Sequence, residues 1–193
     1  MKNKIYNIIL VLLIVIVIIV IGYMIYTVVQ RQENEKVLSN VIEQIEDIAN
    51  DNKEEQTLKI EGYDYEVEGI IEIPKLNIKY PIVSDSSDEA MNVAIIKYWG
   101  GKINDFGNYS IAGHNYKDGT MFGRTRQLEI GDKIYLTDLK LNTIEYEIFD
   151  KFNVDPNDVS ILETNDKTIR EVTLITCTNG HKERLILKAR EII

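Results

Sequence analysis

The chain has 193 residues, 31 acidic and 22 basic, for a net charge of −9, with 45% hydrophobic residues and a single cysteine. This balance excludes nucleic acid as the expected partner, and one cysteine excludes an intramolecular disulfide. The first 31 residues hold three of the basic residues and none of the acidic ones, so the remainder carries −12, an acidity that reads as a solvated surface.

Residues 5–29 are an almost unbroken apolar run without a charge. About 20 apolar residues at ~1.5 Å each cross a hydrocarbon core of ~30 Å, so this stretch reads as a transmembrane anchor behind a short N-terminus, residues 1–4. It is longer than the roughly 7–15-residue core of a signal peptide, and "GYMI" offers no small-x-small cleavage site, so the anchor is expected to remain uncleaved. Lys2 and Lys4 lie before the span, and an acidic segment follows Arg31. The N-terminus is therefore expected on the cytoplasmic side and the rest outside the cell membrane, in a single pass. Across residues 30–62, Val37, Leu38, Val41, Ile42, Ile45, Ile48 and Ala49 fall at helical spacing among acids and amides. They predict an amphipathic helix that packs on the globular domain or serves as a stalk, followed by a polar linker, "NDNKEEQ".

From Tyr63 the pattern becomes short β-type runs broken by Gly, Asn and Asp: "GIIEIPKLNIKYPIV", "NYSIAGHN", "DKIYLTD", "TIEYEIFDKFNV", "EVTLITC" and "RLILKAR". Residues 63–193 are enough for one domain with a real core. Without helices of about 10–15 residues between the strands, the pattern predicts a mainly β barrel or sandwich rather than βαβ units. Pro74 and Pro81, at either end of "PKLNIKYP", suit a sheet edge or strand starts. "SSDEAMNVAIIKYW" reads as holding a short helix with Ser86 or Ser87 as its N-cap.

The lone cysteine ends "EVTLITC", a strand with Val172, Leu174 and Thr176 on one face and Thr173, Ile175 and Cys177 on the other. "TNGHKE" is a six-residue turn signal and "RLILKAR" the returning strand. If the turn closes symmetrically, Cys177 lies opposite Arg184 on the same face of the hairpin; a one-residue slip would separate them. A guanidinium beside a thiol favours the thiolate and supplies donors for an oxyanion, the two requirements of acyl transfer. A cysteine at a strand end is also a common small buried hydrophobe. The sequence contains two histidines, His114 and His181. His181 sits in the charged turn and reads as solvent-facing. His114 follows an apolar strand and Gly113, read as a residue that lets the chain turn sharply, and enters a polar loop of the kind that carries catalytic groups.

These residues resemble the sortases, the membrane-anchored cysteine transpeptidases of Gram-positive bacterial surfaces. "TLITC" is similar to the family's TLxTC nucleophile segment, "IAGHN" to its histidine segment, and Arg184 in "ERLIL" stands where the family's arginine opens the next strand. "GIIEIPKLNIKYPI" resembles the family's first strands, and the likeness spans about residues 65–190. The resemblance implies an eight-stranded β-barrel with short helices and catalytic His114, Cys177 and Arg184. Its implied reaction is cleavage of an LPXTG-like sorting signal through a thioacyl-enzyme. The implied partners are surface proteins bearing that signal and an amine nucleophile, from a peptidoglycan precursor or a pilin. Nothing apolar follows "KAREII" and no lid precedes the barrel, unlike pilin-polymerising class C members. "GHNYKDGTMF" resembles class B, but the short connection between Cys177 and Arg184 has no room for that class's insertion. "GRTRQLEIGDKIYLTD" is similar to classes A, D and E, with class D preferred. No cofactor or metal is expected, because the carboxylates that bind calcium in some class A members do not map onto this sequence; calcium is left open.

Two other readings compete. A papain-like peptidase also uses Cys and His, but there the cysteine comes first and opens a helix. A membrane-tethered extracellular β-domain that binds wall or protein ligands without catalysis would keep Cys177 only as packing.

Overall fold

The computed structural model describes residues 2–50, 58–164 and 166–192. Most of the expected polar linker, and the side chains of Ile48 and Ala49, lie outside the described residues. The expected anchor and the expected amphipathic helix prove to be one continuous helix, α1 (Lys2–Asn50). The reason is local: from Tyr23 to Asn50 there is no Gly or Pro, and Gln, Arg, Glu and Lys continue a helix as readily as they would start one.

The chain divides into two compact units, residues 1–37 and 38–193. In the first, the apolar side chains from Ile5 to Val29 are exposed, on a helix long and apolar enough to cross a membrane. In the second, Leu38, Val41 and Ile45 of the helix are buried, and Glu46 pairs with Lys79 of the first hairpin at 2.7 Å. The apolar stripe of the amphipathic segment thus faces the β-domain, as its spacing requires.

Eight strands follow: β1 (Val67–Ile73), β2 (Ile78–Val83), β3 (Ile95–Trp99), β4 (Gly107–Ala112), β5 (Lys133–Asp138), β6 (Thr143–Val154), β7 (Arg170–Thr178) and β8 (Glu183–Glu191). They close into a barrel in the order β1-β2-β3-β4-β7-β8-β6-β5, which leaves no free sheet edge. The pairs β2–β3 and β4–β7 are parallel, and the other six are antiparallel. Ile71, Ile82, Ile95, Ile111, Leu136, Ile148, Val172 and Leu187, one from each strand, fill the core and are fully buried.

The run expected to hold a short helix does so: α2 (Asp88–Met91) has four residues, its N-cap is Ser87, whose Oγ accepts from Ala90 N at 3.1 Å, and the strand β3 follows in the same run. "IIKYW" then reads as strand because two β-branched and two aromatic residues follow once the helix has ended. Pro81 sits inside β2 rather than at its start. It is tolerated because that stretch pairs with β1 alone; pairing to β3 begins at Ile82. Pro74 opens a single 3₁₀ turn, Pro74–Leu76, between β1 and β2.

Parallel pairing of β4 with β7 positions the two ends that matter. Gly107 is opposite Arg170 and Ala112 opposite Ile175, a constant offset of 63 residues. Beyond the ladder, Gly113 N donates to Ile175 O at 3.2 Å and Thr176 Oγ1 to Gly113 O at 2.7 Å. The same offset relates position 114 to position 177, so the histidine and the cysteine leave adjacent strands at the same end of the barrel.

Candidate functional site

The hairpin of β7 and β8 has the register that symmetric closure requires: Cys177 is the Cα partner of Arg184 and Thr178 of Glu183. The connection is four residues rather than six, because Thr178 and Glu183 add one more pair. Trimming one residue from each side leaves the register unchanged, so Cys177 and Arg184 project from the same face. Asn179, Gly180 and His181 all take positive φ, at 47°, 63° and 69°, which lets so short a turn reverse the chain. His181 is exposed in that turn. Arg184 Nη1 leans on His181 O at 3.3 Å and Glu183 O at 3.5 Å. Both contacts are long and to neutral carbonyls, so most of the guanidinium donors remain available.

Gly113, before the histidine, corrects an expectation. It has no positive φ, and what it provides is clearance: a Cβ there would lie 3.0 Å from the Phe122 ring, which is fully buried. The polar loop beyond closes on itself through Phe122 N to His114 O at 3.0 Å, Gly119 N to Tyr116 O at 3.1 Å and Gly123 N to Thr120 O at 2.9 Å. It is tied to the barrel where Met121 N donates to the Tyr80 hydroxyl at 3.1 Å. Gly123 is the tightest point, since a Cβ would stand 2.9 Å from Gly119 Cα and overlap the carbonyl oxygen of Tyr116. Backbone cannot move aside as a flexible side chain can. Gly123→Ala is therefore expected to destabilise the domain by about 1–3 kcal/mol, read as a lower denaturant midpoint with unchanged slope.

Two residues that the sequence pattern did not flag hold this end of the barrel in place. His114 Nε2 lies 3.0 Å from Asn92 Oδ1, an acceptor that orients the ring, and the imidazole packs against Tyr116 with centroids 5.0 Å apart. Asn115 Nδ2 donates to Cys177 O at 2.8 Å, which fastens the histidine loop to the end of β7. Asn115 could have been suspected from its place beside His114. Asn92 is 22 residues away and carries no local signal.

The outer face of β4 and β7 is covered by the β6–β7 loop, and a buried polar cluster holds it there. Asn108 Nδ2 donates to Ile161 O at 3.2 Å, Leu162 O at 3.0 Å and Ser110 Oγ at 3.2 Å, while its Oδ1 accepts from Thr173 Oγ1 at 2.8 Å. Asn108, Ser110 and Thr173 are all buried, so loss of the amide would leave several polar groups unsatisfied. Asn108→Ala is expected to lower the unfolding free energy by about 1–3 kcal/mol, measurable by urea titration. The same loop holds a turn, Ser160–Leu162, braced by Asp158, whose Oδ1 accepts from Ser160 Oγ at 2.6 Å and Ser160 N at 2.9 Å. Those two donors hold the Asp158 carboxyl below its usual range. The brace is therefore present above the normal carboxylate range and is lost as pH falls through the lowered value.

Between this loop, α2 and the ends of β4 and β7 lies a cavity of about 190 Å³. Its lining includes His114, Cys177 and Arg184, together with apolar Met91, Ile96, Val159, Ile161 and Ile175. All three residues singled out in the sequence thus border one space; His181 does not. Cys177 is half-buried and is the free thiol of the chain. Chemically, the cavity brings a thiol, an imidazole and a guanidinium beside a partly apolar wall, groups of the kinds that acyl transfer can use.

The family model for the sortase domain matches residues 71–192. The chain is 33% identical over 112 residues to Sortase A of Listeria monocytogenes, covering 58% of this chain and 49% of that one. It is 34% identical over 110 residues to Sortase D of Bacillus subtilis, covering 56% and 53%. The matches thus span about half the length of these curated relatives. Among solved structures, the Sortase D5 transpeptidase of Clostridium perfringens superposes with a TM-score of 0.65 at 26% identity, over 83% of this chain and 98% of that one.

Proposed function

This chain belongs to the sortase family, whose members are cysteine transpeptidases, and on that premise we propose that it cleaves an LPXTG-like sorting signal and transfers the acyl fragment to an amine. One observation supports the reading above others: Cys177 and Arg184 are register partners across the hairpin, and His114 lines the same cavity.

The Cys177 thiolate attacks the scissile carbonyl, forming a C–S bond while the carbonyl π electrons move to oxygen. Arg184 holds that oxyanion with its guanidinium donors. As the tetrahedral species collapses, the C–N bond breaks and His114, as imidazolium, protonates the leaving amine. The thioacyl-enzyme must outlast attack by water until an amine arrives, and the apolar residues of the cavity limit water on the side of the acyl chain. An acceptor amine then attacks, its surplus proton passes to His114, and the electron pair of the C–S bond returns to Cys177.

Residues 1–4 form the cytoplasmic N-terminus and 5–29 the anchor in a single pass, with 30–62 and the catalytic domain at 63–193 external. Surface proteins bearing the sorting signal are the acyl donors, and a peptidoglycan precursor or pilin lysine supplies the amine. Within the family the chain falls in class D, a reading supported by the Sortase D and Sortase D5 likenesses. The test is to incubate the full chain in detergent with LPXTG-type peptide libraries and an amine, then search by mass spectrometry for a thioacyl adduct on Cys177. Failure of every peptide to acylate the protein would remove this reading.

A further inference from the structure

Cys177 borders two spaces. One is the cavity of His114 and Arg184. The other is an open cleft of about 670 Å³ between the histidine loop and the β7–β8 turn, bordered by Lys117, Arg124, Arg126 and His181. Among the described residues, Cys177 alone lines both. An enzyme that makes a thioacyl intermediate with one substrate and discharges it with another needs such a second approach, because the acyl chain still fills the first.

The charge of the cleft is the opposite of the chain's. Its lining holds three cations and no carboxylate, in a protein of net charge −9. Elsewhere on the barrel, five cations are matched to acids: Lys75 to Asp132, Lys97 to Glu68, Lys133 to Glu147, Arg170 to Glu191 and Arg190 to Glu171. In the cleft, among the described residues, Lys117 and Arg124 have no ion pair, and Arg126 Nη2 donates only to the neutral Thr178 Oγ1, at 3.0 Å. Arg124 is also held in place. Its stem packs on Gly119, where a Cβ would come within 3.1 Å of Arg124 Cδ, and its Nε is shut off from water without an acceptor. A guanidinium so placed attracts an anion strongly, since its fork matches carboxylate and phosphate oxygens.

Resting on the transpeptidase reading above, we propose that this cleft receives the acyl acceptor and selects amines carried on an anionic chain, with a carboxylate or phosphate held by Lys117, Arg124 and Arg126. The bound acceptor's amine forms a C–N bond to the thioester carbon as the C–S bond breaks. The electron pair returns to Cys177, and the ammonium proton lost in forming the amide goes to His114.

The experiment uses the full chain in detergent, an LPXTG-type peptide that acylates it, and two matched pairs of acceptors: triglycine with triglycinamide, and phosphoethanolamine with ethanolamine. Acylation and transfer are followed separately, by the thioacyl adduct and by the amide product. In at least one pair, the anionic member is expected to be used about tenfold faster at low salt, with the advantage shrinking as salt rises. Preference within the triglycine pair alone assigns the cleft to carboxylates; preference within the phosphoethanolamine pair alone assigns it to phosphates. The Lys117→Gln/Arg124→Gln variant should acylate at the wild-type rate and lose the preference, whereas Arg124→Lys should retain part of it. Equal use of anionic and neutral acceptors by the wild type overturns the inference. So does a preference that survives in the double variant. A wild type that never forms the adduct overturns the transpeptidase reading and this inference with it, and is recognised by its failure at the first step.

Discussion

Replacing Cys177 with alanine is expected to abolish the thioacyl adduct and reduce transpeptidation by about 10⁴-fold or more, while leaving the barrel folded. The two halves have separate physical causes. The sulfur is the atom to which the acyl group is bonded in the proposed reaction, and no neighbouring side chain replaces a missing nucleophile. Its structural contribution is small: Cys177 is half-buried at the end of β7, and loss of one sulfur there removes less than about 1 kcal/mol of packing. Thermal unfolding and peptide cleavage should therefore separate cleanly. A variant that keeps its melting temperature and still cleaves would rule out the cysteine as nucleophile.

Arg184→Ala should lower the acylation rate constant by about 10²–10³-fold, the usual effect of removing an oxyanion donor. Arg184→Lys should recover little of it. The guanidinium is planar, with its donors in a rigid fork, and only Nη1 makes contacts, both long, to His181 O and Glu183 O. A lysine ammonium is a mobile point charge that cannot reproduce the fork. Single-turnover acylation measured by rapid quench separates this step from substrate binding and from transfer. Stability should change little, because Arg184 has no carboxylate partner among the described residues. If Lys substitutes fully, charge alone is what the site requires, and the role given to donor geometry falls.

Local pattern carried some of the structure further than the rest. The strands β5 to β8 are legible because β-branched and aromatic residues alternate between turn residues, and steric preference at each residue is enough to make them extended. The pairing of Cys177 with Arg184 is legible for a related reason: hairpin register is decided by a turn four residues long, well within the reach of local sequence. β3 was hidden because its five residues follow directly on a helix-like run. The continuity of α1 was hidden because the change from apolar to polar residues looks like a boundary, while the backbone meets no residue that ends a helix.

Contacts between distant segments carry no such signal. Asn92 beside His114, Asn108 beneath the β6–β7 loop and Asn115 on the Cys177 carbonyl are ordinary amides until the fold closes. The opposed charge of the second cleft is also invisible along the chain, where Lys117, Arg124 and Arg126 are interleaved with neutral residues and Asp118.

The amino-acid sequence by itself determined that this protein has an apolar N-terminal helix, a mainly β domain, and a thiol facing an arginine across a tight turn, because each depends on periodicity or turn chemistry within a few residues. Only the tertiary structure decided that His114 joins them. That juxtaposition comes from the parallel pairing of β4 with β7 at an offset of 63 residues, which closure of the whole barrel selects and no local preference encodes.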